Sequence, residues 1–188
     1  MLNPDAVDTD CCRRQSDGVQ TGGDAFRSQL PDETALKAAL VLRLATSEDA
    51  RAVAEVLIRS RAEYLPFAPS PHPPDDVRAW VADRLVPTDG VTVVEHQGEV
   101  VGVLAISRLD DVSWIDQMYV RPGWTGRGVG TRLLEHAHRL LLQPIRLYTF
   151  QANAGARRFY ERHGYRAIEF TDGQANEERC PDVLYELS

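Results

Sequence analysis

Lysine is almost missing from this 188-residue chain: Lys37 stands alone against twenty arginines. A P-loop, which needs Gly-x-x-x-x-Gly-Lys-[Ser/Thr], is thereby excluded. Cysteine is scarce as well. Cys11, Cys12 and Cys180 are odd in number and form no Cys-x-x-Cys pair, which argues against a disulfide framework and against a zinc or other metal site. That usage suits a reduced, cytoplasmic protein. The longest apolar run, Val100–Ile106, has seven residues, far short of the ~18 that cross a bilayer. Met1–Asp10 carries three aspartates and no apolar stretch, so no secretory signal is expected. With 21 basic and 28 acidic residues the net charge is -7, which argues against a general nucleic-acid binder. Neither a Gly-x-Ser-x-Gly elbow nor a Cys/His pairing suggests hydrolysis.

What is present divides in two. Residues 1–38 mix Asp, Gln, Ser, Gly and Thr without a sustained period, the composition of a weakly ordered extension. Residues 39–188 alternate strand and helix signals. A strand over Val41–Ala45 leads to a helix capped at Thr46 or Ser47, with a stripe of Ala50, Val53, Leu57 and Tyr64. After a proline-rich link, Val77, Trp80, Val81 and Leu85 mark a second helix. Val91–Glu95 and Val100–Ile106 then form a hairpin through Gln97–Gly98, and Trp114–Val120 is a third strand. A helix stops before Pro144, Ile145–Gln151 is a strand, Asn153 caps a helix ending at Gly164, and strands at Tyr165–Phe170 and Val183–Leu187 close the chain. The order β-α-α-β-β-β-α-β-α-β-β describes a mixed α+β or α/β domain with a largely antiparallel sheet.

One segment carries chemistry. In Val120-Arg121-Pro122-Gly123-Trp124-Thr125-Gly126-Arg127-Gly128-Val129-Gly130-Thr131, a strand runs directly into a helix. Glycines at alternate positions let backbone N–H groups converge on an anion, and the helix dipole adds to them. The dinucleotide fingerprint Gly-x-Gly-x-x-Gly fails because Thr131 stands at its last position. A glycine-rich turn that merely closes tightly is the other reading.

Residues 125–130 resemble motif A of the GCN5-related N-acetyltransferase (GNAT) superfamily, [Gln/Arg]-x-x-Gly-x-[Gly/Ala], with Thr125 in place of the usual Gln or Arg. Asn153-Ala154-Gly155-Ala156-Arg157-Arg158-Phe159-Tyr160-Glu161-Arg162-His163-Gly164-Tyr165 resembles the family's Asn-x-x-Ala-x-x-x-Tyr-x-x-x-Gly-[Phe/Tyr] block. The resemblance covers residues 41–188. It implies a GNAT-like fold, a mixed and mostly antiparallel sheet of about six to seven strands flanked by about four helices.

It also implies acetyl-CoA as cofactor and an amine, small molecule or peptide, as acceptor. Thr125, Gly126, Arg127, Gly128, Val129, Gly130 and Thr131 would hold the pyrophosphate. Backbone groups of Met118 and Val120 and the carboxamide of Asn153 would hold the pantetheine arm. Tyr160 is the matching general acid, although its helical spacing also suits a core residue. Asp116 is the candidate base, directly or through water, with a solvated strand carboxylate as the other reading. Simple alternation puts Asp116 on the face of Met118 and Val120. Glu63 and Tyr64 are candidates for the acceptor pocket; Glu177 and Glu178 could help attract a cationic acceptor, with exposed loop charge as the default reading. The resemblance also allows a homodimer, and a non-catalytic acyl-CoA-binding module is the alternative function.

Overall fold

The computed structural model describes residues 39–188; the expected extension over 1–38 lies outside the described residues. Strand β1 (Leu40–Leu44) leads through a 3-10 turn at Ser47–Asp49 into helix α1 (Ala50–Tyr64). Asp49 sets that entry. Its carboxylate accepts from the Thr46 N–H at 2.8 Å and from Arg43 Nη1 at 2.7 Å. These hydrogen bonds, Arg43's first, lower its pKa to about 2. Helix α2 (Pro74–Trp80) starts with proline at N1, where the missing N–H costs nothing. It widens into a π turn over Val81–Leu85, so the buried stripe Val77, Val81, Leu85 continues past the regular helix.

Strands β2 (Val91–His96) and β3 (Glu99–Leu109) form the expected hairpin. Gln97 and Gly98 both adopt positive φ, 50° and 82°, as a two-residue turn between twisted strands requires. Then come β4 (Val112–Val120), α3 (Val129–Leu140), β5 (Ile145–Phe150), α4 (Ala154–Arg162), β6 (Arg166–Phe170) and β7 (Asp182–Leu187). The seven strands lie in the order β1-β2-β3-β4-β5-β7-β6, antiparallel except for β4 beside β5. The element order is the one read from sequence. The insertion of β7 between β5 and β6 is not, because no local signal ranks strand neighbours.

Two apolar clusters occupy the two faces of the sheet. Leu133, Leu134 and Ala137 of α3 and Ala156, Phe159 and Tyr160 of α4 pack with Leu104, Met118 and Val120 on one face. Val53, Leu57, Val77 and Val81 of α1 and α2 pack with Val93, Val103 and Tyr119 on the other. At ~25 cal/mol per Å² these faces supply most of the folding drive. Gly102 sets how closely α3 sits: a Cβ there would stand 2.6 Å from Val129 Cγ1. The start of α3 therefore presses directly on β3. Among the described residues no helix is long and apolar enough to cross a membrane.

Candidate active site

The parallel pair β4–β5 is short. Its register holds only Ser113 against Ile145 and Trp114 against Arg146, after which the strands part. Beyond the split β4 runs on to Val120. The Arg121 N–H donates to Val101 O on the β3 side at 2.9 Å. Alternation along the strand then turns the backbone groups of Val120 and Met118 the other way, toward the gap. The Val120 carbonyl accepts from Ser60 Oγ of α1 at 2.8 Å, in keeping with that direction. The two residues singled out from sequence thus line an open strand edge.

The gap leads into the glycine turn. Gly123, Gly126 and Gly128 have φ of 83°, 72° and 79°, a region that side chains rarely enter. Gly128 is the N-cap of α3, and the next N–H groups, on Val129, Gly130 and Thr131, belong to the helix's open first turn. No acidic residue stands in that turn. Arg127 lies over the Trp124 ring at 5.2 Å, and Trp124 packs on His96 at 4.8 Å, so a cation is held beside the N–H groups. Thr125 Oγ1 lies 3.5 Å from the Tyr64 hydroxyl. A turn residue and a proposed acceptor-side residue therefore meet at the end of α1.

Asn153 is the N-cap of α4, as its sequence position suggested. Its Oδ1 accepts from the Ala156 N–H at 3.1 Å. The residue is 5% exposed, and its Nδ2 is buried without a hydrogen-bond partner. A buried donor left unpaired costs about 1–3 kcal/mol, so this atom fits a carbonyl of an entering ligand. Tyr160, seven residues on, is 1% exposed and packs edge-on to Phe159 and Tyr165. Its ring belongs to the core, as helical spacing suggested, in the same cluster as Met118 and Val120.

Asp116 departs from the alternation argument. The β3–β4 register jumps from Ala105–Gln117 to Ile106–Ile115, leaving Asp116 as the extra residue of a β-bulge. Ile115 therefore joins Met118 and Val120 in the α3–α4 cluster. Asp116 instead hydrogen-bonds Ser107, whose cross-strand partner is Trp114, so it belongs to the α1–α2 face and not to that of Met118. Burial raises the pKa of Asp116, with the Ser107 hydrogen bond opposing. Trp114 stacks on Tyr148 of β5 at 5.9 Å beside it.

On the same face lies a cavity of about 520 Å³, under the 65–74 loop and between α1 and the start of α2. Leu57, Ile58, Leu65 and Val77 supply apolar wall, and Gln117, Tyr119 and Arg61 supply polar groups. Glu63 is exposed and outside this lining, and Tyr64 reaches Thr125 instead. The 171–181 loop is tied to two residues of this lining, Arg61 and His72. Glu178 is not exposed loop charge: its side chain is 0% exposed and accepts from Arg61 Nη2 at 2.9 Å. Arg61 also donates to Ala68 O and to the Tyr119 hydroxyl, both at 3.3 Å. Glu177 Oε2 lies 3.0 Å from His72 Nε2, which fastens the two loops together. Nothing local in the sequence marks Arg61 and Glu178, 117 positions apart, as partners.

Comparison with known proteins fits this geometry. The profile described as the Acetyltransferase (GNAT) family matches residues 55–165, more than half of the chain. An uncharacterized N-acetyltransferase of Methanocaldococcus jannaschii is 33% identical over 105 residues, 50% of this chain and 46% of that protein. Another, from Archaeoglobus fulgidus, is 34% identical over 101 residues, 48% of this chain and 67% of its own length. The chain thus spans about half the length of the first relative and two thirds of the second. Among solved structures, the PaiA N-acetyltransferase of Thermoplasma acidophilum in complex with coenzyme A superposes with a TM-score of 0.64 at 18% identity. That match covers 78% of this chain and 97% of the other. The ribosomal-protein-S18-alanine N-acetyltransferase of Escherichia coli gives 0.61 at 16% identity, covering 79% and 92%. At such identities the likeness concerns the fold alone. The split β4–β5 pair, the glycine turn after it and the matched profile lead to one conclusion: this chain belongs to the GNAT family of acetyltransferases.

Proposed function

We propose that the protein is an acetyl-CoA-dependent N-acetyltransferase acting on a primary amine by direct attack within a ternary complex. The observation that carries this reading is the parted strand edge at Met118 and Val120 running into the glycine turn; the α1–α2 cavity is lined by Gln117 and Tyr119 of the same strand. The coenzyme A complex of the Thermoplasma structural relative supports the choice of cofactor. When bound, acetyl-CoA supplies an activated thioester.

Each step then falls to a residue of the chain. N–H groups of Gly126 to Thr131, with Arg127 nearby, hold the pyrophosphate where the α3 dipole is positive. Met118 and Val120 hold the arm as an added strand does, and Asn153 Nδ2 donates to it. A backbone N–H on this edge would serve as the oxyanion donor for the thioester carbonyl, an effect of about 2.7–4 kcal/mol. The acceptor enters from the α1–α2 face of the sheet, the face to which Asp116 belongs although it does not line the cavity. An alkylammonium has a pKa of ~10.4 and must lose a proton before attack. The Asp116 carboxylate, made more basic by burial, accepts it directly or through water. Tyr160 Oη gives a proton to the departing sulfur from the layer beneath the gap.

The mainly apolar cavity suits an amine carried on an apolar body, free or at the end of a peptide. The test is a panel of amines incubated with the full chain and acetyl-CoA, following free thiol. Amine-dependent thiol release is expected. Tight cofactor binding without turnover across the panel would instead mark a non-catalytic acyl-CoA-binding module.

A further inference from the structure

Most buried hydroxyls of the sheet and its helices are paired. Ser60 Oγ donates to Val120 O at 2.8 Å, Ser113 Oγ donates to Leu142 O at 2.6 Å, and Thr92 Oγ1 lies 3.3 Å from His136 Nε2. Thr149 is the exception. The residue is 0% exposed, and its Oγ1 has no hydrogen-bond partner. A valine would fill the same volume without a hydroxyl to satisfy, so the packing alone gives no reason for threonine here.

Strand geometry fixes where that hydroxyl lies. Ile145 and Leu147 pack in the α3–α4 cluster, and Thr149 follows at the same two-residue spacing. Its cross-strand neighbour Val183 belongs to that cluster too, together with Tyr160 and Val120. Thr149 therefore enters the layer containing Tyr160, on the part of β5 that has separated from β4. Four residues on stands Asn153 with its own unpaired, buried Nδ2. Two buried polar atoms without partners thus flank one end of one strand.

Their chemistry is complementary. The Asn153 amide nitrogen can only donate, so it calls for a carbonyl oxygen, whereas a threonine hydroxyl both donates and accepts. We propose that Thr149 and Asn153 together grip one amide of the pantetheine arm, Asn153 donating to its carbonyl and Thr149 Oγ1 accepting from its N–H. Thr149 is then a cofactor-binding residue of this chain. This inference rests on the reading above that the arm lies in the β4–β5 gap.

Isothermal titration of the full chain with CoA and with acetyl-CoA tests it, using the wild type, Thr149→Val and Thr149→Ser, alongside melting curves without ligand. Thr149→Val is expected to melt at or above the wild-type temperature, since it removes an unsatisfied hydroxyl. It should nevertheless bind both ligands about three- to tenfold more weakly, the effect of one neutral hydrogen bond. Thr149→Ser should keep affinity within about twofold. A Thr149→Val chain that binds both ligands as the wild type does overturns the assignment. So does a loss confined to acetyl-CoA, which would place the contact at the thioester. Absence of CoA binding by the wild type would instead refute the cofactor reading itself, and this assignment with it.

Discussion

Replacing Glu178 with alanine tests whether the cavity's wall is built on a buried ion pair. Glu178 has no exposed side-chain surface and Arg61 only 10%, with Arg61 Nη2 2.9 Å from Glu178 Oε1. Removing one member of a buried pair leaves the other charge uncompensated, at a cost of about 3–5 kcal/mol. The longer bonds of Arg61 to Ala68 O and the Tyr119 hydroxyl are among those that stay in place, so the lower end of that range applies. A loss of about 3 kcal/mol lowers the melting temperature by about 6–12 °C at ~2–4 °C per kcal/mol for a chain of this size. Circular dichroism melts of the full chain measure it. The Arg61→Met, Glu178→Met double variant carries no stranded charge and should recover most of the loss. The CoA Kd should hold, because Arg61 lines the α1–α2 cavity and not the glycine turn. A drop under about 2 °C for Glu178→Ala, or a double variant as unstable as the single one, would mean that the Arg61–Glu178 pair does not support the wall.

Three further outcomes follow from the same geometry. Asp116→Asn should lower kcat/KM by about 10²–10⁴-fold and flatten the acid limb of the pH–rate profile. Because burial raises this carboxyl's pKa, the proton-bound form favours the fold. The stability it contributes is present at low pH and lost as pH rises through the folded value, so Asp116→Asn should be no less stable than wild type at pH 7. Asp49 has the opposite sign: held at about 2, it stabilises above its unfolded value of ~3.9, and this is lost as pH falls toward 2. Asp49→Asn should cost about 1–2 kcal/mol at pH 7, in denaturant melts, with the gap to wild type closing in acid. Gly102→Ala should cost about 1–3 kcal/mol, because its Cβ meets Val129 Cγ1 at 2.6 Å, and should weaken CoA binding by displacing the start of α3.

Much of the architecture was legible because it rests on local signals. Hydrophobic period, the Gln97–Gly98 turn and Asn153 at a helix start are each written within a few residues. So are the glycines of the turn, whose positive φ values follow from residue type. What sequence reasoning missed depends on pairing between distant strands and loops. The bulge at Asp116 exists only in the register of β4 against β3, and one extra residue reversed the face assigned to that carboxylate. Glu178 looked like loop charge because its partner Arg61 stands on α1, across the cavity. Thr149 gave no signal either, since threonine in a strand is ordinary until its hydroxyl proves to have no partner.

In the proposed function, the parted β4–β5 edge and the glycine turn hold acetyl-CoA for transfer to an amine. A crystal structure of the full chain grown with CoA tests it most directly. Pyrophosphate oxygens are expected on the N–H groups between Gly126 and Thr131, with the pantetheine arm running along Met118 and Val120 toward Asn153. Density for CoA elsewhere on the chain, with the β4–β5 gap closed by side chains, would contradict it.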